Sequence, residues 1–313
     1  MNNFIEETNM EYPVGVYYVE LNNMFLNRTP WHWHPELEIS FVRSGTAVFE
    51  IGEKQIAVEA GSAILINGGH LHSITEKKET GSSNPCIILS ILFHPDYLFE
   101  SMDSFLAIKY GAPIIKDPEF RYALFTPGDS WGKRGIECIN AILTANLNQS
   151  YGHELVTKSH LCSFWIQLLE KADIFRQNTT SFSLSVMDEE RIKDAITFIH
   201  EHYALQITLK DIADSIHVSK SECCRCFKRA MQLSPFDYLL MYRIYASALQ
   251  MQHGGNKAES IASLAASVGF NNTSYYNKIF KKYLSCTPRQ YRESIQKSHR
   301  DALNPFGIPL SRL

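Results

Sequence analysis

The sequence predicts an α+β protein of more than one domain: an N-terminal β-barrel with a helical extension, then an all-α domain with two helix-turn-helix units. Up to about residue 92, short apolar or alternating runs are separated by turn signals, which is typical of a sandwich or small barrel. From Pro95 onward, apolar residues recur at helical spacing. In the last third of the chain one residue pattern occurs twice, which indicates a repeated supersecondary unit.

These changes of pattern divide the chain into five segments. Its 313 residues are enough for two typical domains. Helices are expected at 135–148 and 154–175, and the polar run from Gln177 to Ser181 breaks their period. The predicted segments are a barrel at 1–95, a helical segment at 96–176, a linker at 177–187, a repeated helical domain at 188–300 and a tail at 301–313.

The charge is unevenly distributed along the chain. Residues 1–187 carry 13 basic and 21 acidic side chains, whereas residues 188–300 carry 16 basic and 11 acidic ones. An acidic part joined to a basic part is expected when only the basic part meets a polyanion such as DNA.

The composition also predicts the compartment. Hydrophobic residues make up 45% of the chain, but no apolar run approaches the roughly 18 residues of a membrane helix, so no membrane partner is expected. The polar, acidic start does not fit a signal peptide, and seven scattered cysteines fit reduced thiols. We therefore expect a cytoplasmic protein.

The repeat lies in the basic part. FKRAMQLSPFDY at 227–238 and FKKYLSCTPRQY at 280–291 share Phe-Lys, a Ser/Thr-Pro pair and a final Tyr. In the first copy Thr208 and Asp211 form a weak capping box, and Ser219 with Glu222 forms a proper one. In the second copy Gly269 ends a helix and Asn271 or Asn272 caps the next. Each copy is thus a helix, a short turn and a second helix.

The second helix of each copy can enter a major groove of double-stranded DNA, where side chains near its N-terminus read base edges. Helical spacing turns Cys223, Phe227, Tyr276 and Phe280 inward. The outward side chains predicted to contact DNA are Lys220, Ser221, Cys224 and Arg225 in the first helix and Thr273, Ser274, Tyr275, Asn277 and Lys278 in the second. Lys228, Arg229, Lys281 and Lys282 lie beyond them and suit phosphates.

These motifs resemble a known family. The segment IASLAASVGF at 261–270, NNTSYYNKIFKK after it and TPRQYR at 287–292 are similar to the C-terminal signature of AraC/XylS-type transcription regulators. The resemblance implies seven helices, with a long helix from Pro235 to Gln252 that joins two units reading successive major grooves. Gln232 and Ser285 stand where the family usually has glycine, which affects only local turns.

The stretch HWHPELE at 32–38 is the main candidate site of the N-terminal part. In an extended strand His32, His34, Glu36 and Glu38 share one side. Such a face suits a catalytic metal, a pocket for a polar ligand, or solvent. A cysteine cluster, Cys223-Cys224-x-Cys226, points around more than half of a helix, so packing is favoured over a metal there.

Residues 32–72 resemble the cupin pattern. His32-x-His34-x3-Glu38-x6-Gly45 is similar to the first cupin motif, and Gly61-x5-Asn67-x-Gly69-x2-His72 to the second, with Asn67 where proline is usual. In metal-binding cupins the corresponding positions bind a divalent transition metal. The resemblance therefore implies His32, His34, Glu38 and His72 as metal ligands. In sensor cupins the same side chains hydrogen-bond a polar effector. Glu36 would add a second carboxylate for its hydroxyl groups, and Trp33 would supply an apolar wall that stacks on it.

The sequence therefore predicts a transcription regulator that binds promoter or operator DNA and is not an enzyme. A small polar effector binds in the sensor barrel at 1–95, and the helical segment supports a homodimer. The family resemblance, and no residue of the barrel, suggests a carbohydrate as the effector. The prediction leaves open RNA polymerase as a further partner and a divalent transition metal as a cofactor. The alternative is a cupin-type metal-dependent enzyme or metal sensor fused to a DNA-binding domain.

Overall fold

A computed structural model describes residues 12–77, 85–178, 186–252 and 260–301. The chain forms two compact units, Met1–Ser183 and Leu184–Leu313. The first combines antiparallel sheets with helices and the second is helical, so the α+β prediction is confirmed. Within the described ranges no helix has both the length and the apolar character needed to cross a membrane.

The described residues of the first unit form two antiparallel sheets. Its strands are β1 (Val14–Glu20), β2 (Leu37–Ser44), β3 (Thr46–Ile51), β4 (Lys54–Glu59), β5 (Ala63–Ile66), β6 (His72–Glu76), β7 (Ile87–Phe93) and β8 (Tyr122–Phe125). Five of them form one sheet in the order β1-β7-β2-β5-β8, and the other three form a second sheet in the order β4-β3-β6. Gly45 turns β2 into β3 with φ of +75°, a conformation that glycine adopts without strain.

Alternation along the larger sheet creates two separate cores. On β2, Val42 faces the three-stranded sheet together with Phe49, whereas Ile39 faces the helices. On β5, Ile64 and Leu65 divide in the same way. Because Glu38 and Ser40 lie on the same side of β2 as Val42, their polar groups point into the barrel-like interior.

The helices of the first unit cover the outer face of the larger sheet. They are α1 (Pro95–Phe99), a π-helical turn at Ala107–Gly111 that leads into α2 (Ala112–Ile115), α3 (Ser130–Asn148) and α4 (His153–Asn178). On this face Trp131 stacks on Phe125 with ring centroids 4.4 Å apart, and Phe164 packs against the same ring at 4.7 Å.

The prediction that residues 96–176 are helical is wrong at one point. Strand β8 lies inside it and pairs with β5, from Ala63 opposite Phe125 to Ile66 opposite Tyr122. Only four residues alternate there, which is too short a run to stand out from the helical pattern around it. The expected linker at 177–187 is helical at both ends, in α4 and from Val186, and its centre lies outside the described residues.

The second unit has seven helices within the described residues, as the family resemblance implied. They are α5 (Val186–His202), α6 (Leu209–Ser215), α7 (Lys220–Met231), α8 (Pro235–Gln252), α9 (Ile261–Ser267), α10 (Thr273–Leu284) and α11 (Pro288–Asp301). The pairs α6–α7 and α9–α10 are the two helix-turn-helix units, and α8 packs against α7 and α10.

The capping box predicted to be weak is complete, and the one predicted to be proper is not. Thr208 and Asp211 form a complete capping box at the start of α6. Ser219 accepts the amide of Glu222, but the Glu222 carboxylate turns to Arg225 and Arg229 instead of reaching back. A guanidinium offers a carboxylate charge-assisted hydrogen bonds, which are stronger than a bond to one main-chain amide.

Candidate functional sites

Four polar side chains meet inside the barrel of the first unit. His32, His34, Glu38 and His72 each offer one ligand atom, and these atoms lie within 4.8 Å of one another. The His32 and His72 rings are 4.2 Å apart, and those of His34 and His72 are 5.2 Å apart. Glu38, His34 and His72 are buried, whereas His32 is partly exposed and marks the open side of the group.

Three local structures bring these residues together. His32 and His72 form an isolated antiparallel bridge, with main-chain N–O distances of 3.0 and 2.9 Å. Glu38 is the second residue of β2, and His34 lies in the irregular segment before it. That segment passes close to Gly68, where a Cβ atom would lie 2.3 Å from the Pro35 carbonyl oxygen. Gly68 thus allows the approach that places His34 over Glu38.

One predicted member of the site, Glu36, lies elsewhere. The strand begins at Leu37, so the alternation expected from residue 32 does not hold and Glu36 is not on the inner face. The Glu36 carboxylate instead lies 3.6 Å from Nδ1 of His34, on the side of the ring that faces away from Glu38. Proline at position 35 cannot donate to a sheet, which explains why the strand does not start earlier. Trp33 is half-buried in the same irregular segment.

The hydrogen bonds of the three rings fix their tautomers. Each Nδ1 lies next to a main-chain carbonyl oxygen: that of Pro30 for His32 at 2.8 Å, Glu36 for His34 at 3.0 Å and His70 for His72 at 2.8 Å. A carbonyl oxygen only accepts, so each Nδ1 carries a hydrogen and donates it. The Nε2 atoms are therefore the ones that face the centre.

With these tautomers, acceptor nitrogens of two imidazoles face an acceptor oxygen of Glu38. Nε2 of His34 and Nε2 of His72 each lie 3.2 Å from the same oxygen of Glu38, Oε2. In neutral rings with a hydrogen on Nδ1, both Nε2 atoms present lone pairs to that oxygen. A proton or a cation between them is needed to make the contact favourable. The cluster is thus built to hold positive charge or a hydrogen-bond donor at its centre.

The pKa directions agree with this charge pattern. Burial disfavours the charged form of Glu38, but the hydrogen bonds and charges of His34 and His72 outweigh it and hold the pKa of Glu38 well below its usual range. Burial likewise opposes ionisation of His34, yet Glu38 raises the pKa of His34. Burial and the neighbouring His72 lower the pKa of His32 to about 3, so His32 is neutral and offers a lone pair.

Two serines that the motif did not indicate hold the carboxylate in place. Ser40 and Ser90 both donate to Oε1 of Glu38, at 2.6 and 2.9 Å, and are buried on the paired strands β2 and β7. Because both hydroxyls bind Oε1, only Oε2 is left to face the imidazoles. A serine two residues after the motif glutamate is the signal that would have indicated Ser40. Asn67, by contrast, donates to the Phe120 carbonyl at 2.9 Å and is structural.

The donor set fits a divalent transition metal. Ligand atoms at about 2.0–2.2 Å from an ion lie about 3 to 4.3 Å from one another, so a small closure of the 4.8 Å group would suffice. Metal ligands usually receive a second hydrogen bond that orients them. Here each of the three imidazoles has such a bond at Nδ1, and the carboxylate has them at its second oxygen. Imidazole and carboxylate together suit Mn, Fe, Ni or Zn.

The predicted recognition helices of the second unit present most of their chosen side chains to solvent. Cys223, Phe227, Tyr276 and Phe280 are fully buried, as their spacing predicts. Cys224 and Thr273 are half-buried rather than outward. The exposed members are Lys220, Ser221, Arg225 and Lys228 in α7 and Ser274, Tyr275, Asn277, Lys278 and Lys281 in α10.

Two basic side chains predicted to suit phosphates have protein partners. Arg229 lies 3.0 Å from Asp188 and 3.1 Å from Glu222, so it ties α7 to α5. Lys282 lies 3.9 Å from Asp237. Asp188, Glu222 and Cys226 are spaced closely enough for a metal, but the Arg229 guanidinium already supplies the positive charge there. The cysteine cluster is thus a packing feature, with Cys223 and Cys226 fully buried.

Comparison with known proteins decides the family. Residues 14–130 match the model of the AraC-like ligand binding domain, and residues 212–294 match that of a helix-turn-helix domain. The chain belongs to the AraC family of transcription regulators. As an AraC-family protein it has a ligand-binding domain in the first unit and a DNA-binding domain in the second.

Relatives within the AraC family cover nearly the whole chain. An uncharacterized HTH-type transcriptional regulator of Bacillus subtilis, YdeC, is 28% identical over 302 residues, which are 94% of this chain and 99% of YdeC. The melibiose operon regulatory protein of Escherichia coli is 23% identical over 281 residues, 85% of this chain and 84% of that protein. Among solved structures, ToxT of Vibrio cholerae covers 91% of this chain and 98% of its own, with 13% identity and a TM-score of 0.45.

Proposed function

We propose that this AraC-family regulator is controlled by a small polar effector that binds at the cluster of His32, His34, Glu38 and His72. The acceptors converging on Glu38 Oε2 carry the proposal, because a ligand with several hydroxyl donors satisfies them. Trp33 lies beside His34 in the chain and is half-buried, which suits an apolar wall. A carbohydrate fits both features.

The carbohydrate class has one further support. The relative in Escherichia coli is named the melibiose operon regulatory protein and aligns over 85% of this chain. A sugar presents hydroxyl donors on its edges and apolar faces, which match a group of acceptors next to an indole ring. Effector binding would then shift the chain between two states that differ in affinity for DNA.

Calorimetry with a panel of mono- and disaccharides, melibiose included, tests this proposal on the full chain. We expect at least one sugar to bind wild-type protein and to change its affinity for operator DNA. The variant Glu38→Gln should lose sugar binding and keep basal DNA binding. The control Glu50→Gln alters a carboxylate of β3 that pairs with Arg28 and should bind sugar normally. Sugar binding that survives Glu38→Gln would contradict the assigned pocket.

A second candidate is a metal centre at the same four residues, as a metal sensor or a metal-dependent enzyme. The acceptor contacts favour it, since a divalent cation at the centre would satisfy Glu38 Oε2 and the Nε2 atoms at once. When bound, such an ion supplies a Lewis acid that can take an effector oxygen. Ser40 and Ser90 would keep the carboxylate turned to it, and burial would exclude water on the closed side.

A homodimer formed by the first unit is also proposed. Leu155, Val156 and Ile166 of α4 are 75, 43 and 56% exposed, which is unusual for large apolar side chains on one helix. Sedimentation of the full chain tests the dimer. Contact with RNA polymerase stays a prediction of the sequence.

The exposed basic side chains of the recognition helices give a prediction about DNA. Arg225→Ala and Lys278→Ala should each weaken binding to a cognate operator by about 1–3 kcal/mol and relax base preference nearby. Arg225 is held by Glu222 through its Nε at 2.9 Å, so its guanidinium is oriented before DNA arrives. Fluorescence anisotropy with labelled operator measures the change. Arg289→Ala, in α11, is the matched control, and unchanged affinity of both test variants would contradict the assigned faces.

A further inference from the structure

The two helix-turn-helix units are joined by a polar contact in addition to α8. The loop between α5 and α6 approaches the turn between α9 and α10 at Gly269. A Cβ atom at Gly269 would lie 2.6 Å from the Tyr203 carbonyl oxygen and 2.9 Å from the Arg243 guanidinium carbon. Gly269 therefore has two functions, because its φ of +89° ends α9 and its missing side chain lets the loop come close.

Arg243 of α8 holds the loop side of this contact. It is 5% exposed, and it donates from Nε to the Tyr203 carbonyl and from Nη2 to the Leu205 carbonyl, both at 2.7 Å. Its guanidinium also lies over the Phe270 ring, 5.7 Å from the centroid. The guanidinium is planar, and two hydrogen bonds to one loop together with an aromatic ring beneath it leave it a single orientation. It thus fixes α8, the loop before α6 and the residue after Gly269 against one another.

Gln206 holds the opposite side through its amide. Nε2 donates to the Gly269 carbonyl at 3.0 Å, and Oε1 accepts from Nδ2 of Asn271 at 2.8 Å. Both ends of the amide are therefore bonded to the turn of the second helix-turn-helix unit. Gln206 and Asn271 are exposed, so neither is needed to fill the core.

The contact lies between the start of α6, in the first helix-turn-helix unit, and the start of the recognition helix α10, in the second. Two residues after Gln206, Thr208 begins α6 with its capping box. Directly after Asn271, Asn272 caps α10 by accepting the Tyr275 amide at 2.9 Å. Any rotation of α9–α10 relative to α6–α7 must therefore break the Gln206 bonds, and a rotation about α8 must break those of Arg243.

We propose that Arg243 and Gln206 are positioning residues that fix the separation and relative rotation of the two recognition helices, and so select the spacing between the two half-sites of the operator. Two recognition helices that read successive major grooves need half-sites about one helical turn apart, roughly 10 base pairs. With the contact intact, the two recognition helices keep one separation and one relative rotation. Without it, each helix still reads its own half-site but tolerates other spacings. The inference rests on the DNA-binding role and does not depend on the effector.

Selection of binding sites from a random duplex library with the full chain tests this inference. Wild-type protein should enrich two sequence boxes at one spacing. Gln206→Ala and Arg243→Met should enrich the same two boxes with a spread of spacings and bind the wild-type consensus about five- to tenfold more weakly. Glu201→Gln, an exposed change at the end of α5, is the control and should keep one spacing.

The Gln206 variant keeps the test decisive if Arg243→Met does not fold, because Gln206 is exposed. A single retained spacing in Gln206→Ala would overturn the inference. Loss of base preference within either box would also overturn it, since the residue would then shape a recognition helix itself. Absence of any enriched box with wild-type protein would overturn both the inference and sequence-specific DNA binding, whereas two wild-type boxes with unaltered spacing in the variants would overturn the inference alone.

Discussion

If the metal-centre candidate holds, protein purified without chelator is expected to carry about one equivalent of a divalent first-row transition metal, and the His32→Ala/His34→Ala variant none. The reason is the set of acceptors, because Nε2 of His34 and Nε2 of His72 both face Glu38 Oε2 at 3.2 Å. One ion relieves both contacts and needs little movement of the four ligand atoms. Elemental analysis of untagged protein measures the content.

The histidine pair needs a control that leaves the cluster intact. His94→Ser removes an exposed imidazole that caps α1 and replaces it with another capping side chain, so metal content should be unchanged. Ser40→Ala should bind the metal about 10- to 100-fold more weakly, since it removes a hydrogen bond to the ligand carboxylate.

Metal binding also predicts a change in stability. A ligand that binds only the folded state at 100 times its Kd stabilises that state by about 2.7 kcal/mol, so a chelator should lower the Tm of wild-type protein only. Wild-type protein that is free of metal, takes up no added Zn²⁺, Ni²⁺, Fe²⁺ or Mn²⁺ and still binds DNA would contradict the metal centre. Such protein would leave the cluster as a pocket for an organic effector.

The second unit could be predicted nearly in full, because its information is local. Capping residues, a proline at the first helical position and an internal repeat lie within a few residues of the features they set. The seven helices and the buried side of α7 and α10 follow from them. Arg229 could not be assigned correctly in this way, because its partner Asp188 lies 41 residues earlier in the chain, in α5.

The barrel site was predictable in its members but not in its shape. Motif spacing selected His32, His34, Glu38 and His72, and the structure brings all four together. The assumption of one continuous strand was wrong, since strand β2 starts only at Leu37 and Glu36 turns away. Ser90 reaches Glu38 only through pairing of β2 with β7, which depends on register between strands 50 residues apart.

Acidification is expected to destabilise the DNA-binding unit through one histidine of α5. His200 stacks on Tyr242 with ring centroids 4.0 Å apart, and its Nε2 lies 2.9 Å from the Tyr238 hydroxyl oxygen in α8. Burial lowers the pKa of His200 to about 4, whereas the unfolded chain has the ordinary value near 6.5. The folded unit therefore resists protonation that the unfolded chain accepts.

The sign and size of the effect follow from proton linkage. Above about pH 6.5 neither state binds the proton and stability is complete; as pH falls toward 4, only the unfolded state binds it and the free energy of unfolding decreases. The loss from His200 is about 2 kcal/mol at pH 5 and about 3 kcal/mol at pH 4. His200→Gln keeps a hydrogen-bonding partner for Tyr238 but cannot titrate, so it should lose less stability over the same range.

Chemical denaturation of the full chain can separate the two units. All four tryptophans lie between residues 31 and 165, so tryptophan fluorescence reports on the first unit, whereas far-UV circular dichroism also includes helices of the second. We expect the pH-dependent shift in the dichroism of wild-type protein to be reduced in His200→Gln, with equal fluorescence transitions in both. Equal shifts in the dichroism of the two proteins would show that another group carries the pH dependence.

Because α8 packs against both α7 and α10, loss of its contact with α5 in acid should weaken DNA binding at both half-sites together.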